Sequence, residues 1–236
     1  MSKLAVQELD RAEKKHIAEL KRAPALTRIK KLSDEKVKEI LVERNALVVL
    51  YFGPFLDTAI QSLYNAPDSA RQAVEWLAED EFRPYSHRTA AMEDMTRIGM
   101  PVEDIIGYSV SDYTEAVARD LVEIVQYDQN YSQEENWVRT LACVRAAETS
   151  AGIEFDILAD EIERRFGLKR DEQVYFAPHA DHDVAKKTMG ESDKSHAGRI
   201  GMEIARLLTP DVLPQAKESL EEMFRERWSF YGQFIE

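Results

Sequence analysis

The stretch SQEENWVRTLACVRAAETSAGIEFDILADEIERRFG, residues 132–167, decides the fold that we expect for this chain. Ser132 and Glu135 have the spacing of a capping box, in which each side chain bonds the backbone N–H of the other at a helix start. Gly167 stands where the helix would need a residue in the left-handed conformation in order to end. The stretch therefore predicts one helix of about nine turns.

The apolar face of this helix contains one acidic side chain. A buried stripe runs through Leu141, Val144 and Phe155 at helical spacing. Glu148 falls on the same stripe, and a buried carboxylate needs a cation, a proton or a metal ion beside it. An ion pair with Arg145, three residues earlier, and a role as metal ligand both remain open.

The composition favours helices throughout. Of the 236 residues, 44% are hydrophobic, while only 9 are glycine and 8 are proline. Apolar residues recur with helical period rather than in alternation, so we expect an all-α protein of about eight or nine helices. We predict one helical domain over residues 1–236, with residues 1–32 as an N-terminal helical extension. The next helix should bend at Gly53-Pro54, because proline removes a backbone donor.

The charge and the cysteine count limit the compartment and the partners. The formal net charge is −13, which repels nucleic-acid phosphates and anionic lipids, so we expect neither as a partner. No apolar stretch is long enough to span a bilayer, and the start lacks the apolar core of a secretory signal. The single cysteine, Cys143, cannot form an intramolecular disulfide. These features predict a cytoplasmic protein.

A second acidic and basic pattern lies at residues 171–190, which we expect to form one helix. His179 and Asp183 are four residues apart, so a helix would place them side by side on one face. That spacing is a common way for one helix to supply two metal ligands, and it also serves surface hydrogen bonds. His182 lies close enough around the helix to reach the same cavity.

A third pattern is WLAEDEFRPYSH, residues 76–87. The apolar face of its first helix continues onto Glu81, with Asp80 and Glu79 as alternatives on neighbouring positions. His87 leads the apolar face of the following helix. Two histidines and three carboxylates drawn from several helices form the donor set that a carboxylate-rich iron site requires.

At these positions the chain resembles the haem-oxygenase-like family, which includes thiaminase II, pyrroloquinoline-quinone synthase and diiron oxidases. The resemblance covers roughly residues 51–190. Its marks are the acidic cluster before His87 and the segments RIGMPVEDI (97–105), AAETSAGIEF (146–155) and YFAPHADHD (175–183). The resemblance implies two Fe(II) ions as cofactors, with metal ligands Glu81, His87, Glu148, His179 and Asp183.

Two departures from the family pattern affect this ligand set. The last histidine of the pattern is Lys186 here, and a protonated lysine cannot bind a metal ion. The second iron is therefore expected to be labile, with His182 as a possible replacement ligand. Glu81 lies six residues before His87 where the family has seven, with Pro84 between them, so Glu79 or Asp80 could bind instead.

The resemblance implies a non-haem diiron oxidase or oxygenase that uses dioxygen. Its reaction would be oxidative rearrangement, cleavage or N-oxygenation of a free amino acid or similar small molecule, in specialised metabolism. A carboxylate substrate needs a cation, and the candidates near the ligands are Arg83, Arg88, Arg145 and Lys186. Tyr175 is a candidate for the pocket wall. Related proteins form dimers, so a homodimer is expected by analogy.

Three alternatives remain open. A fatty-acid oxidative decarboxylase of the same fold would need a long apolar tunnel instead of a cation. A metal-free, thiaminase-like enzyme would use Cys143 as a nucleophile, although a small core residue at that position is the simpler interpretation. A non-enzymatic helical interaction protein would use the inward carboxylates and histidines only as a buried polar network.

Overall fold

The computed structural model describes residues 2–81 and 87–235, with the side chain of His87 outside the described part. Within these residues the chain forms eleven α-helices and two short 3-10 helices, Ile29–Lys31 and Arg170–Glu172, and no strand. The all-α prediction is confirmed, with more helices than the predicted eight or nine. The α-helices are α1 (Lys3–Leu20), α2 (Pro24–Arg28), α3 (Asp34–Ser62), α4 (Asp68–Glu81), α5 (His87–Arg97), α6 (Val102–Ile106), α7 (Asp112–Glu123), α8 (Gln133–Phe166), α9 (Phe176–His182), α10 (His196–Leu207) and α11 (Leu213–Gly232).

Helix α8 lies at the centre of the bundle. Both halves of the predicted capping box are present, and Gly167 ends the helix with a φ of 74°. Helices α3, α9, α10 and α11 all pack against α8. Most of its side chains from Val138 to Leu158 are therefore buried, so its polar residues need hydrogen-bond partners inside the protein.

Helix α3 continues through Pro54 without a break. Ser33 caps the start of α3 by accepting a hydrogen bond from the backbone N–H of Lys36. The helix contributes a long buried face to the core, including Tyr51 and Phe55. Packing of this face supplies the stabilisation that the missing proline hydrogen bond does not.

The prediction of a single helix over residues 171–190 is wrong. Helix α9 covers only Phe176–His182, because the buried carboxylate of Asp94 accepts hydrogen bonds from three backbone N–H groups at its start. After Asp183 the chain turns, and the backbone N–H groups of Lys186 and Lys187 donate to Asp193. Lys186 is thus exposed and does not share a helical face with His179.

The last two helices begin at residues with different caps. The side chain of Ser195 caps α10 by accepting a hydrogen bond from the backbone N–H of Gly198. Val212 stands in the capping position of α11 and makes no side-chain cap.

A buried ion pair ties α1 to the centre of the bundle. Arg145 donates two hydrogen bonds to Glu13, of 2.8 and 2.7 Å, and a third to the carbonyl oxygen of Ala197. Both charged side chains are at most 3% exposed. The open question of whether Arg145 neutralises Glu148 is therefore answered: the partner of Arg145 is Glu13.

We predict that Glu13→Leu lowers the free energy of unfolding by about 3–5 kcal/mol, because the Arg145 charge would remain buried without its carboxylate. Urea unfolding followed by circular dichroism measures this value. The double variant Glu13→Leu/Arg145→Leu should be more stable than Glu13→Leu. Glu19→Leu is a control, since Glu19 is 41% exposed and forms surface pairs. Equal stability of Glu13→Leu and wild type would contradict the prediction.

Candidate metal centre

Three acidic residues end helix α4, and only one of them points into the bundle. The buried face of α4 consists of Ala70, Val74, Leu77 and Glu81, and Glu81 is 4% exposed. Glu79 is exposed and the Asp80 side chain is 55% exposed. Of the three alternatives, Glu81 is therefore the one whose side chain lies inside the protein.

Glu81 meets two further buried carboxylates. Glu148 comes from the middle of α8 and Asp183 from the C-terminal end of α9, and each is at most 3% exposed. Gly152 lies one turn after Glu148, where a Cβ atom would stand 2.5 Å from the Val184 side chain. The absence of a side chain at Gly152 thus allows the segment around Asp183 to approach α8 closely.

The centre of this cluster is a histidine outside the predicted ligand set. Nδ1 of His196, the first residue of α10, lies 2.8 Å from Oε1 of Glu81. The same nitrogen lies 3.0 Å from Oε2 of Glu148 and 3.3 Å from Oδ1 of Asp183. One ring nitrogen can donate only one hydrogen bond, so three carboxylates converge on a point that a single proton cannot satisfy.

The geometry of this cluster fits a metal ion. One ligand atom from each of Glu81, Glu148, Asp183 and His196 can be chosen so that all four lie within 4.8 Å of one another. Oδ1 of Asp183 is buried and has no hydrogen bond of acceptable geometry among the described residues. Three buried carboxylates need more positive charge than one imidazolium supplies, and carboxylate with imidazole is a donor set for divalent transition metals.

The pKa values show how protons compensate the charge in the metal-free cluster. Burial raises the pKa of Glu81 to about 8, aided by the charges of Glu148 and Asp183 and opposed by the hydrogen bond with His196. Burial also raises the pKa of Glu148. Burial would lower the pKa of His196, but its carboxylate partners outweigh that effect and raise it. Protons on these groups therefore offset part of the buried negative charge.

His179 lies beside the cluster without joining the group of four. It is 8% exposed, and its Nδ1 donates to the carbonyl oxygen of Tyr175 at 2.7 Å. This bond leaves Nε2 as the atom with the lone pair. Burial lowers the pKa of His179, so the neutral form that can bind a metal is favoured.

His182 forms a second possible group with Asp183 and His196. Its Nδ1 lies 2.7 Å from Oδ1 of Asp183, and its side chain is 45% exposed. The remaining predicted ligand, His87, begins helix α5, but its side chain lies outside the described residues. Arg83 and Pro84 lie outside them as well.

A small cavity opens next to the carboxylates. Glu81, Glu148, His179 and Asp183 line one side of it, and Tyr175 contributes to the wall. The empty volume of this cavity is about 260 Å³. The other predicted substrate contacts are not in the wall: Arg145 is bound to Glu13, Lys186 is exposed, and Arg88 lines a different cavity beside Tyr108.

The cation that does line this cavity is Arg44 of α3. Arg44 was not among the predicted substrate contacts, because it lies far along the chain from the predicted ligands. Arg44 falls on the buried face between Leu41 and Val48, at the same three-and-four spacing that singled out Glu148. His196 likewise leads a buried face with Ile200 and Ile204.

Comparison with solved structures identifies the architecture. A domain of unknown function from Shewanella denitrificans, described as having a heme oxygenase-like fold, superimposes with a TM-score of 0.70 at 14% identity, over 99% of this chain and 92% of that one. This chain has a haem-oxygenase-like fold. No protein-family profile matches its sequence, and no curated protein does.

Two further structures share the haem-oxygenase-like fold of this chain. A CADD-like protein of unknown function from Nostoc punctiforme has a TM-score of 0.70 at 13% identity, covering 97% of both chains. A TenA homolog from Pseudomonas syringae has a TM-score of 0.69 at 13% identity, covering 97% of this chain and 91% of that one. The resemblance seen in the sequence is thus confirmed for the fold.

Among the described residues, no helix is long and apolar enough to cross a membrane.

We predict that the metal-free protein loses stability relative to Glu81→Gln as the pH rises from 4.5 to about 8. In this range folded Glu81 keeps a proton that the unfolded chain releases. Stability from this group is therefore complete below the unfolded pKa and lost as the pH passes the folded pKa. The slope should be at most about 1.4 kcal/mol per pH unit for one proton.

Urea unfolding in the presence of a chelator, repeated across this pH range, measures the difference. Glu79→Gln is the matched control, because Glu79 neighbours the cluster in sequence but is exposed. Its stability should follow wild type at every pH. A constant difference between wild type and Glu81→Gln would show that Glu81 titrates normally in the folded protein.

Proposed function

We propose that this protein is a non-haem iron oxidase or oxygenase that uses dioxygen to oxidise a small amino-acid-like molecule. The observation that carries the proposal is the convergence of three buried carboxylates, Glu81, Glu148 and Asp183, on Nδ1 of His196. Bound iron would activate dioxygen and pass electrons to it from the substrate that is oxidised.

The chain offers ligands for one iron and a partial set for a second. Glu81, Glu148, Asp183 and His196 would hold the first ion. His179 and His182, whose ring centroids lie 4.8 Å apart beside the cluster, would be donors for another. His196 would replace, from a different helix, the donor that the sequence pattern lacks at Lys186. This arrangement supports iron as cofactor, with the second ion less firmly held.

Other residues orient these donors. Oδ2 of Asp80 lies 3.1 Å from Nε2 of His196 and can accept a hydrogen bond from it, which would leave the lone pair of Nδ1 for a metal ion. The ring of Trp76 packs edge-on against His196, with centroids 5.5 Å apart. On the other side of the cavity, Phe155 and Tyr175 pack against His179 and exclude water. The imidazoles are thus held in place before any ligand arrives.

The alternatives receive less support from the same geometry. Cys143 is fully buried, and burial raises the pKa of its thiol to about 12, so a thiolate nucleophile is disfavoured at neutral pH. Its sulfur contacts the carbonyl oxygen of Ser219 at 3.7 Å. The small cavity, with Arg44 in its wall, suits a short polar substrate better than a long alkyl chain.

We predict that the wild-type protein, loaded with Fe(II) without oxygen and desalted, retains about one to two iron ions per chain. His196→Ala should reduce the affinity at least about tenfold, because it removes the donor on which the carboxylates converge. Glu148→Ala should have a similar effect. Inductively coupled plasma mass spectrometry gives the metal content, and competition with a chelator gives the affinity.

His16→Ala is the control for the loss of an imidazole. His16 lies on α1, bonds Glu19 and stacks on Phe224, so its removal should leave the iron affinity unchanged. Absence of iron in the wild-type protein would defeat the proposal in favour of a buried polar network. Equal affinities of wild type and His196→Ala would exclude His196 as a ligand.

A further inference from the structure

A second buried group of charges lies next to the candidate metal centre. It consists of Arg44 on α3, Glu154 on α8 and Arg227 on α11, each 1% exposed. Glu154 accepts a hydrogen bond of 3.0 Å from Nε of Arg44. It also accepts bonds of 3.2 and 2.6 Å from Nε and Nη2 of Arg227. We call these three residues the arginine cluster.

The arginine cluster has one positive charge too many. It contains two guanidinium groups and one carboxylate, and its other polar neighbours, Tyr51 and Tyr231, are uncharged hydroxyls. Burial of Tyr51 raises the pKa of its hydroxyl, so that group does not supply a negative charge at neutral pH. The cluster by itself therefore carries a net positive charge, which makes it a place where an anion would be stabilised.

Arg44 is the member of the cluster that faces the cavity. It lines the same cavity as Glu81, Glu148 and Asp183, whereas Arg227 does not. Its Nη1 atom is buried and has no hydrogen-bond partner among residues 2–81 and 87–235. Its guanidinium lies over the ring of Phe155, with 4.7 Å between its central carbon and the ring centroid. The group is thus held in place on two sides while one of its donors remains unused.

We propose that Arg44 anchors a carboxylate of the substrate, which places the neighbouring carbon atoms of a short carboxylic or amino acid beside the metal centre. Nη1 of Arg44 would donate a charge-assisted hydrogen bond to a carboxylate oxygen, and Val48 and Phe52 would contact the hydrocarbon part. This inference rests on the proposed function, because bound metal would neutralise the three carboxylates that otherwise repel an anion.

The test uses protein loaded with zinc, which binds similar donors but does not react with dioxygen. The probes are ¹³C-labelled propionate and propionamide, which have nearly the same shape and differ in charge. Titrations followed by NMR line broadening give the dissociation constants. Propionate should bind wild type at least about tenfold more tightly than Arg44→Gln, and propionamide should bind neither well.

Arg88→Gln is the matched control, because Arg88 is an exposed arginine that lines a different cavity. Its propionate affinity should equal that of wild type. Arg44→Lys serves if Arg44→Gln does not fold: it keeps the charge beside Glu154, but its single ammonium lacks the second donor group. This variant should bind propionate several-fold more weakly than wild type while melting at a similar temperature.

Metal content, measured on the same samples, separates the two proposals. Wild-type protein without bound metal would defeat the proposed function. Normal metal content combined with equal propionate affinities in wild type and Arg44→Lys would overturn the anchor, because the carboxylate would then bind the metal or another site. Equal binding of propionamide and propionate, or no binding of propionate to wild type, would overturn it as well.

Discussion

The repulsion among three buried carboxylates is the constraint on which the structure around the centre of the bundle depends. Glu81, Glu148 and Asp183 come from three helices, and their oxygens converge on one nitrogen of His196. Burial and mutual repulsion raise the pKa of Glu81 and Glu148, so protons and the His196 charge hold the cluster together in the absence of metal. A divalent metal ion would replace those protons with a stronger and more symmetric compensation.

Two buried charge groups of opposite sign thus share one cavity. The carboxylates form the acidic side, and Arg44, fixed by Glu154, forms the basic side. Each side alone would be costly to bury, and on the basic side Nη1 of Arg44 has no hydrogen-bond partner among the described residues. The Arg145–Glu13 pair differs, because both of its members are satisfied and it serves only to hold helices together.

The sequence alone predicted the elements whose signals are local. The capping box at Ser132 and the glycine at 167 defined helix α8, and helical period placed Glu148 and Glu81 in the interior. Helix α9 was predicted too long because its limits depend on distant carboxylates, Asp94 and Asp193, that bond backbone groups. Such long-range bonds leave no local pattern.

His196 and Arg44 lay outside the predicted site, although each leaves a local signal. The family spacing pointed to Lys186, but the chain turns before that residue, and His196 reaches the carboxylates from the next helix. Arg44 lies more than a hundred residues before its partner Glu154. Both residues interrupt apolar faces at helical spacing, as Glu148 does, so helical period marks them as buried charges that need a partner.

The most direct measurement of the central claim is the position of iron in a crystal of the protein soaked with Fe(II) without oxygen, located by anomalous diffraction at the iron edge. We predict an anomalous iron peak about 2.0–2.2 Å from Nδ1 of His196 and from carboxylate oxygens of Glu81, Glu148 and Asp183. A crystal with no iron peak between these side chains, and with the carboxylates still bonded directly to His196, would contradict it.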